Sequence, residues 1–191
     1  MKSKDNNIKV KKCLKNLRRG LASYLFYDLP IKIVDKADYA FVATSNFSLG
    51  YLDGNFIYFD IEDDGGLKLA GKNDILISRR NPFRTCIINR DTKILVDDNV
   101  FILEIDEDVI NPYYLISYLQ SRKGQKALKL SANNSPTLAK KELEDLVIPL
   151  KDKKHQEKIG KSYKSLIKNI KKQDRKLKDL YIKLFDSKFY K

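Results

Sequence analysis

The sequence predicts an α+β fold: a small mixed-sheet domain over residues 1–150, followed by one long C-terminal coiled-coil helix over residues 151–191. Three observations predict it. Short β-rich runs separated by turn residues recur between positions 31 and 105. The apolar period changes to that of a helix at Pro112. From Ile159 the apolar positions then alternate by four and three without a break.

The strands come first. The runs are IKIVD (31–35), YAFVAT (39–44), FIYFDI (56–61), DILIS (74–78), TCIIN (85–89), KILVD (93–97) and VFILEI (100–105). Between the second and third lies SNFSLGYLDG, with Gly50 and Gly54 as breakers. Spacing this close predicts a mostly antiparallel or mixed sheet. Asn111 is placed to cap a helix whose first position is Pro112. In PYYLISYLQSRKGQKALKL that helix carries Leu115, Tyr118 and Leu119 on one face, and Gly124 is expected to break it. A short amphipathic helix then runs into the strand-like LVIPL (146–150).

The tail has its own period. Ile159, Tyr163, Leu166, Ile170, Gln173, Leu177, Leu180 and Leu184 form an a/d seam with one polar member. Ile167, Tyr181 and Phe185 widen it. A helix over 155–185 would be about 46 Å long at about 1.5 Å per residue, which is long for a lid on a small domain. The seam therefore reads as a dimerisation surface in which Gln173 sets register. The plainer alternative is an amphipathic helix packed on its own domain.

Charge is segregated along the chain. The 191 residues carry a formal charge of +13. Residues 1–20 are +7, residues 21–150 are −4 and residues 151–191 are +10. Within the acidic middle, residues 65–96 are +5 and residues 122–141 are +6. Two basic stripes on an acidic background suggest a surface that faces phosphates. Cys13 and Cys86 are far apart and His155 is the only histidine, which excludes a zinc site of ordinary spacing and argues against a disulfide framework. No apolar run approaches the roughly 18 residues of a membrane span. A cytoplasmic protein is expected.

Catalytic signatures are missing. There is no GxxxxGK[ST] or GxGxxG loop. The carboxylate pairs Asp63–Asp64 and Asp97–Asp98 stand in turn-like contexts and read as solvated loop acids. NPFR (81–84) and NPYY (111–114) lack the second proline of the amino-methyltransferase motif NPPY/F. No catalytic residue, cofactor or metal site is expected.

Five segments in order resemble the specificity subunits of Type I restriction-modification systems. They are VKKCLKNLRRG (10–20), LAGKNDILISRR (69–80), ILVDDNVFILEID (94–106), INPYYLISYLQSRKGQKAL (110–128) and SPTLAKKELEDLVIPL (135–150). Asn73 stands where the GDILIS strand of that family has glycine. The family's PPLEEQ is KDKKHQ here, so only Gln156 survives, and the departure falls at the hinge between domain and helix. The resemblance implies one DNA target-recognition domain over 1–150 and a spacer or dimerisation helix over 151–191. It further implies a half-length, non-catalytic specificity subunit that pairs, most simply as a homodimer. Double-stranded DNA, DNA methyltransferase subunits and restriction subunits are the partners it implies.

Within that frame the residues suggest contacts. Arg79, Arg80 and Arg84, in SRRNPFRT, are candidates for bidentate guanine contacts, and Asn81 and Asn55 for adenine. Lys68, Lys72, Lys126 and Lys129 are candidate phosphate contacts. SANNSPT (131–137), with Asn133 and Asn134, is a plausible second DNA-facing loop. A competing reading is a coiled-coil interaction protein, or a competitor of a full-length specificity subunit, with no useful DNA affinity alone. An RNA-binding domain lacks support, because neither an RNP-like aromatic motif nor a GXXG loop is present.

Overall fold

The structure is a computed structural model that describes residues 6–22, 26, 28–62, 66, 67 and 69–189. Ten strands are described: β1 (Asn6–Lys9), β2 (Leu14–Arg19), β3 (Ile31–Val34), β4 (Tyr39–Val42), β5 (Ile57–Ile61), β6 (Ile75–Ser78), β7 (Thr85–Ile87), β8 (Lys93–Val96), β9 (Val100–Ile105) and β10 (Val147–Leu150). Four α-helices follow or intervene: α1 (Pro112–Gln120), α2 (Arg122–Ser131), α3 (Lys140–Asp145) and α4 (Lys153–Phe189). The expected α+β class is the observed one, and all seven expected strands form. The strands β1 and β2 were not expected. Only Leu17 among their residues is fully buried, so neither shows an apolar run.

The strands make three sheets, in the orders β1-β10, β2-β9-β6-β7 and β3-β5-β4-β8. Pairing is antiparallel except between β4 and β8. The β2-β9-β6-β7 sheet is a middle layer, which explains why β6 and β9 are apolar on both faces. Ile75, Ile77, Phe101 and Leu103 point into one core with Leu115, Leu119, Leu128 and Leu143 of the helices. Leu76, Val100 and Ile102, on alternate positions, enter a second core with Ala40, Val42, Ile94 and Val96 of the other sheet. Beyond that sheet, Leu95 joins Phe59 and Phe26 in a third cluster.

Helix α1 starts as its sequence requires. Asn111 Oδ1 accepts from the amides of Tyr113 at 2.9 Å and Tyr114 at 3.1 Å, with Pro112 at the first helical position. The expected break at Gly124 is a correction. The chain breaks at Ser121, whose Oγ caps α2 by accepting from the Gly124 amide at 3.1 Å. Gly124 lies inside α2, and a Cβ there would sit 2.0 Å from the Tyr118 carbonyl oxygen. It permits close packing of the α1–α2 corner and does not break a helix.

The start of α4 is tied to the domain by one glutamine. Gln156 is 2% exposed; its Oε1 accepts from the Asn111 amide at 2.8 Å and its Nε2 donates to the Lys151 carbonyl at 2.7 Å. At 37 residues, α4 is about 55 Å long. It presents three faces. Gln156, Gly160, Tyr163, Ile167, Asp174 and Lys178 face the domain: Ile167 is buried in the first core, Asp174 is hydrogen-bonded to the Tyr51 hydroxyl, and Lys178 pairs with Asp53. Turned aside from that face are Ile159, Leu166, Leu177, Leu180 and Leu184, all exposed. Opposite the domain run Lys154, Lys158, Lys161, Lys168, Lys172 and Arg175, also exposed.

The eight-residue seam expected from the sequence is thus divided. Tyr163 and Ile170 pack against the domain's own core, Gln173 is exposed, and the other five lie on the lateral face. The packing expected of an amphipathic helix is present on one face, and a second face is apolar and exposed.

Candidate nucleic-acid interface

The β6–β7 connection, residues 79–84, is an ordered turn. Ser78 fills it from within. Its Oγ, buried with its residue 3% exposed, accepts from the Arg84 amide at 2.8 Å and lies 3.0 Å from the Pro82 carbonyl and 3.1 Å from that of Arg80. The Asn81–Pro82 peptide is cis. Phe83 anchors the turn in the first core, while Arg80, Asn81 and Arg84 are exposed.

The second basic stripe meets this turn. Arg80 and Thr137 form an antiparallel bridge. The Asn81 amide donates to the Pro136 carbonyl at 2.9 Å, and the Leu138 amide donates to the Arg79 carbonyl at 2.8 Å. Residues 131–137 are therefore hydrogen-bonded alongside the arginine turn, as one surface. Asn133 and Asn134 adopt left-handed backbone, φ 49° and 58°, where the chain leaves α2, and both side chains are exposed. Lys126 and Lys129 stand exposed on α2, in line with Arg122 at one end and Asn133 at the other. Neither 79–84 nor 131–138 contains an acidic residue. A hollow of about 230 Å³ opens beside the turn, lined by Leu49, Pro82, Arg84, Gln120 and Gln125 among others.

Not every expected residue joins this surface. Arg79 is half-buried: its guanidinium lies 5.4 Å from the centre of the Phe101 ring, and its Nη1 donates to the Asp98 carbonyl at 3.2 Å. Burial, reinforced by Arg19, lowers its pKa. Lys72 lies at the other end of β6, where it pairs with Asp91 at 2.9 Å. A separate hollow of about 440 Å³ there is lined by Lys72 with Arg18, Asp74, Glu104 and Glu107, a mixed-charge setting. Asn55 is exposed in the loop before β5, and its carbonyl accepts from Asn46 Nδ2 at 3.2 Å. Lys68 lies outside the described residues, as does the Asp63–Asp64 pair. Asp97 corrects an expectation: far from being a solvated acid it is 6% exposed, accepts from the Asn99 amide at 2.7 Å, and has its pKa raised by burial. Among the described residues, no cluster of three or more His, Cys, Asp or Glu is arranged to hold a metal ion, and no helix is long and apolar enough to cross a membrane.

Three residues that hydrogen-bond the turn were not found from the sequence. Ser78 lies within the DILIS run, and Gln120 and Gln125 lie unremarked within PYYLISYLQSRKGQKALKL. Yet Gln120 Nε2 donates to the Thr85 carbonyl at 2.8 Å and Gln125 Nε2 to the Phe83 carbonyl at 3.2 Å.

No protein-family model and no curated protein matches the chain. Solved structures do. A chain from a study of complex assembly and conformational transition of the type I R-M system aligns with TM-score 0.65 at 16% identity, over 96% of this chain and 43% of that one. The HsdS subunit from Thermoanaerobacter tengcongensis aligns with TM-score 0.62 at 16% identity, over 92% and 40%. The Type-I restriction-modification system S subunit from M. genitalium aligns with TM-score 0.62 at 17% identity, over 94% and 43%. The fold is that of one half of a Type I specificity subunit. This chain spans about two-fifths of the length of the solved structures it matches. The specificity-subunit fold accounts for the order of the five sequence segments and for the long helix that follows the last strand.

Proposed function

We propose that this chain is the sequence-reading, non-catalytic unit of a Type I restriction-modification system. It binds a specific double-stranded DNA site and directs methyltransferase subunits, and restriction subunits where present, to that site. The observation that carries this reading is the joining of the arginine turn 79–84 to the loop 131–137 on a specificity-subunit fold. Arg80 and Arg84 are the proposed base readers, with Asn81, Asn133 and Asn134 beside them. Lys126 and Lys129 contact phosphates. Arg79 supports the turn from below. Residues 1–150 read DNA, and residues 151–191 space and pair the readers. The exposed lateral face of α4 supports pairing as a homodimer, since an apolar stripe of this length on a soluble helix favours burial against another helix.

The same stripe favours a second reading, an interaction protein that engages or competes with another specificity subunit and has no useful DNA affinity alone. Methylation assays separate the two. With a methyltransferase subunit and S-adenosylmethionine, the chain should direct methyl transfer to one sequence, and alone it should transfer none. Methylation by the pure chain, or undirected methylation by the mixture, would refute the proposal.

A further inference from the structure

A line of hydrogen bonds crosses the molecule from the long helix to the arginine turn. Tyr163 on α4 donates its hydroxyl proton to Gln120 Oε1 at 2.5 Å. Gln120 Nε2 then donates to the Thr85 carbonyl at 2.8 Å, one residue beyond Arg84. Gly50 leaves room for the crossing: a Cβ there would lie 2.4 Å from the Tyr163 oxygen and 3.1 Å from either terminal atom of Gln120. Gly50 also has φ +89°, so another side chain would be strained there in any case. Burial raises the pKa of the Tyr163 hydroxyl, which keeps it a donor through the neutral range.

The two partners fix the amide of Gln120 in one orientation. Turned over, its oxygen would face the Thr85 carbonyl, acceptor against acceptor, and that bond would be lost. Gln125 adds a parallel strut to the Phe83 carbonyl. The turn is therefore fixed to the α1–α2 corner, and the corner is fixed to α4.

We propose that Gln120 and Tyr163 are positioning residues for DNA reading, setting where Arg80 and Arg84 stand relative to the helix that carries the partner. The proposal rests on the turn being the DNA-facing element. Its consequence is specific. Loosening this line should blur discrimination between sequences without weakening the general attraction to DNA, because phosphate contacts tolerate a displaced turn and bidentate base contacts do not.

Two variants of the full chain divide the line. Tyr163→Phe removes the helix end. Gln120→Glu keeps an acceptor for Tyr163 but sets a carboxylate oxygen against the Thr85 carbonyl, opening the turn end. Two readouts follow: amide hydrogen exchange over residues 83–87 in the free protein, and affinity for the duplex that wild type enriches from a randomised pool relative to poly(dI-dC). Both variants should exchange faster at the turn. Their affinity for the enriched duplex should fall roughly 2- to 10-fold, the effect of one net hydrogen bond, with poly(dI-dC) binding unchanged. A lower melting temperature with an unchanged affinity ratio in both variants would make the line merely structural and overturn the proposal. If wild type enriches no sequence, the DNA-facing reading of the turn fails and the proposal falls with it.

Discussion

The arginine turn offers a division of labour that single substitutions can read. Arg79, Arg80 and Arg84 are equivalent in sequence but not in structure. Replacing Arg79 with alanine removes a guanidinium over the Phe101 ring and a charged donor to the Asp98 carbonyl. The first contact is worth about 0.5–1 kcal/mol. The second, long at 3.2 Å, belongs at about 1.5 kcal/mol, the low end for a charged hydrogen bond. Against these stands Nε of Arg79, which is buried without a hydrogen-bond partner and is relieved by the substitution. The net expectation is a loss of about 1–2 kcal/mol of folding stability. Arg80→Ala and Arg84→Ala touch exposed side chains and should change stability by less than about 0.5 kcal/mol. For DNA the order reverses. Arg80→Ala or Arg84→Ala should weaken specific-site binding by about 1–3 kcal/mol where the side chain reads a base. Urea denaturation followed by circular dichroism, with titration of a labelled specific duplex, measures both. An Arg79→Ala protein as stable as wild type would refute the assignment of Arg79 to support. Unchanged binding with Arg80 and Arg84 both replaced would remove the turn from the interface.

Other substitutions test other parts of the account. Gly124→Ala should destabilise by about 3 kcal/mol or more, since the new Cβ would meet the Tyr118 carbonyl oxygen at 2.0 Å and backbone must move; an unchanged urea midpoint would refute close packing at that corner. Asp74 is 8% exposed, and burial raises its pKa to about 6, opposed by the Gly71 amide and by Arg18. A carboxyl whose pKa is higher in the folded state adds stability below the unfolded value of 3.8 and loses it as pH rises through about 6. Asp74→Asn should therefore raise the melting temperature at pH about 8 and leave it nearly unchanged at pH about 4; equal effects at both would contradict the burial argument. Leu166→Asp with Leu177→Asp, at 52% and 68% exposed positions, should give monomers by sedimentation without altering domain melting. A wild-type monomer at micromolar concentration would rule out the homodimer.

Much of the fold was legible because its strands are buried by two layers. Runs such as ILIS and VFILEI stand out whichever face is counted. β1 and β2 escaped because they pair at sheet edges through polar backbone, with few apolar side chains to announce them. The helix tail was half legible. Its lateral stripe is apolar and periodic, but its domain-facing stripe is built from Gln156, Gly160, Tyr163, Asp174 and Lys178 around one buried Ile167. Besides the packing of Tyr163, Ile167 and Ile170, hydrogen bonds and a glycine hold that face, and neither of these leaves a hydropathy signal. The basic stripes pointed to two segments that the fold brings side by side. Their joining depends on a bridge between Arg80 and Thr137, a long-range pairing that no local pattern encodes. The split of Arg79 from Arg80 and Arg84 likewise follows from which side of a turn each leaves.

The proposed function requires that this chain read duplex sequence. Its most direct test is selection by the wild-type protein from a randomised duplex pool at physiological ionic strength, where phosphate attraction alone is weakened. Enrichment of one discrete motif is expected, present as two inverted copies about an unread spacer if the reader is a homodimer. Recovery of the input distribution, with binding that tracks salt and not sequence, would contradict it.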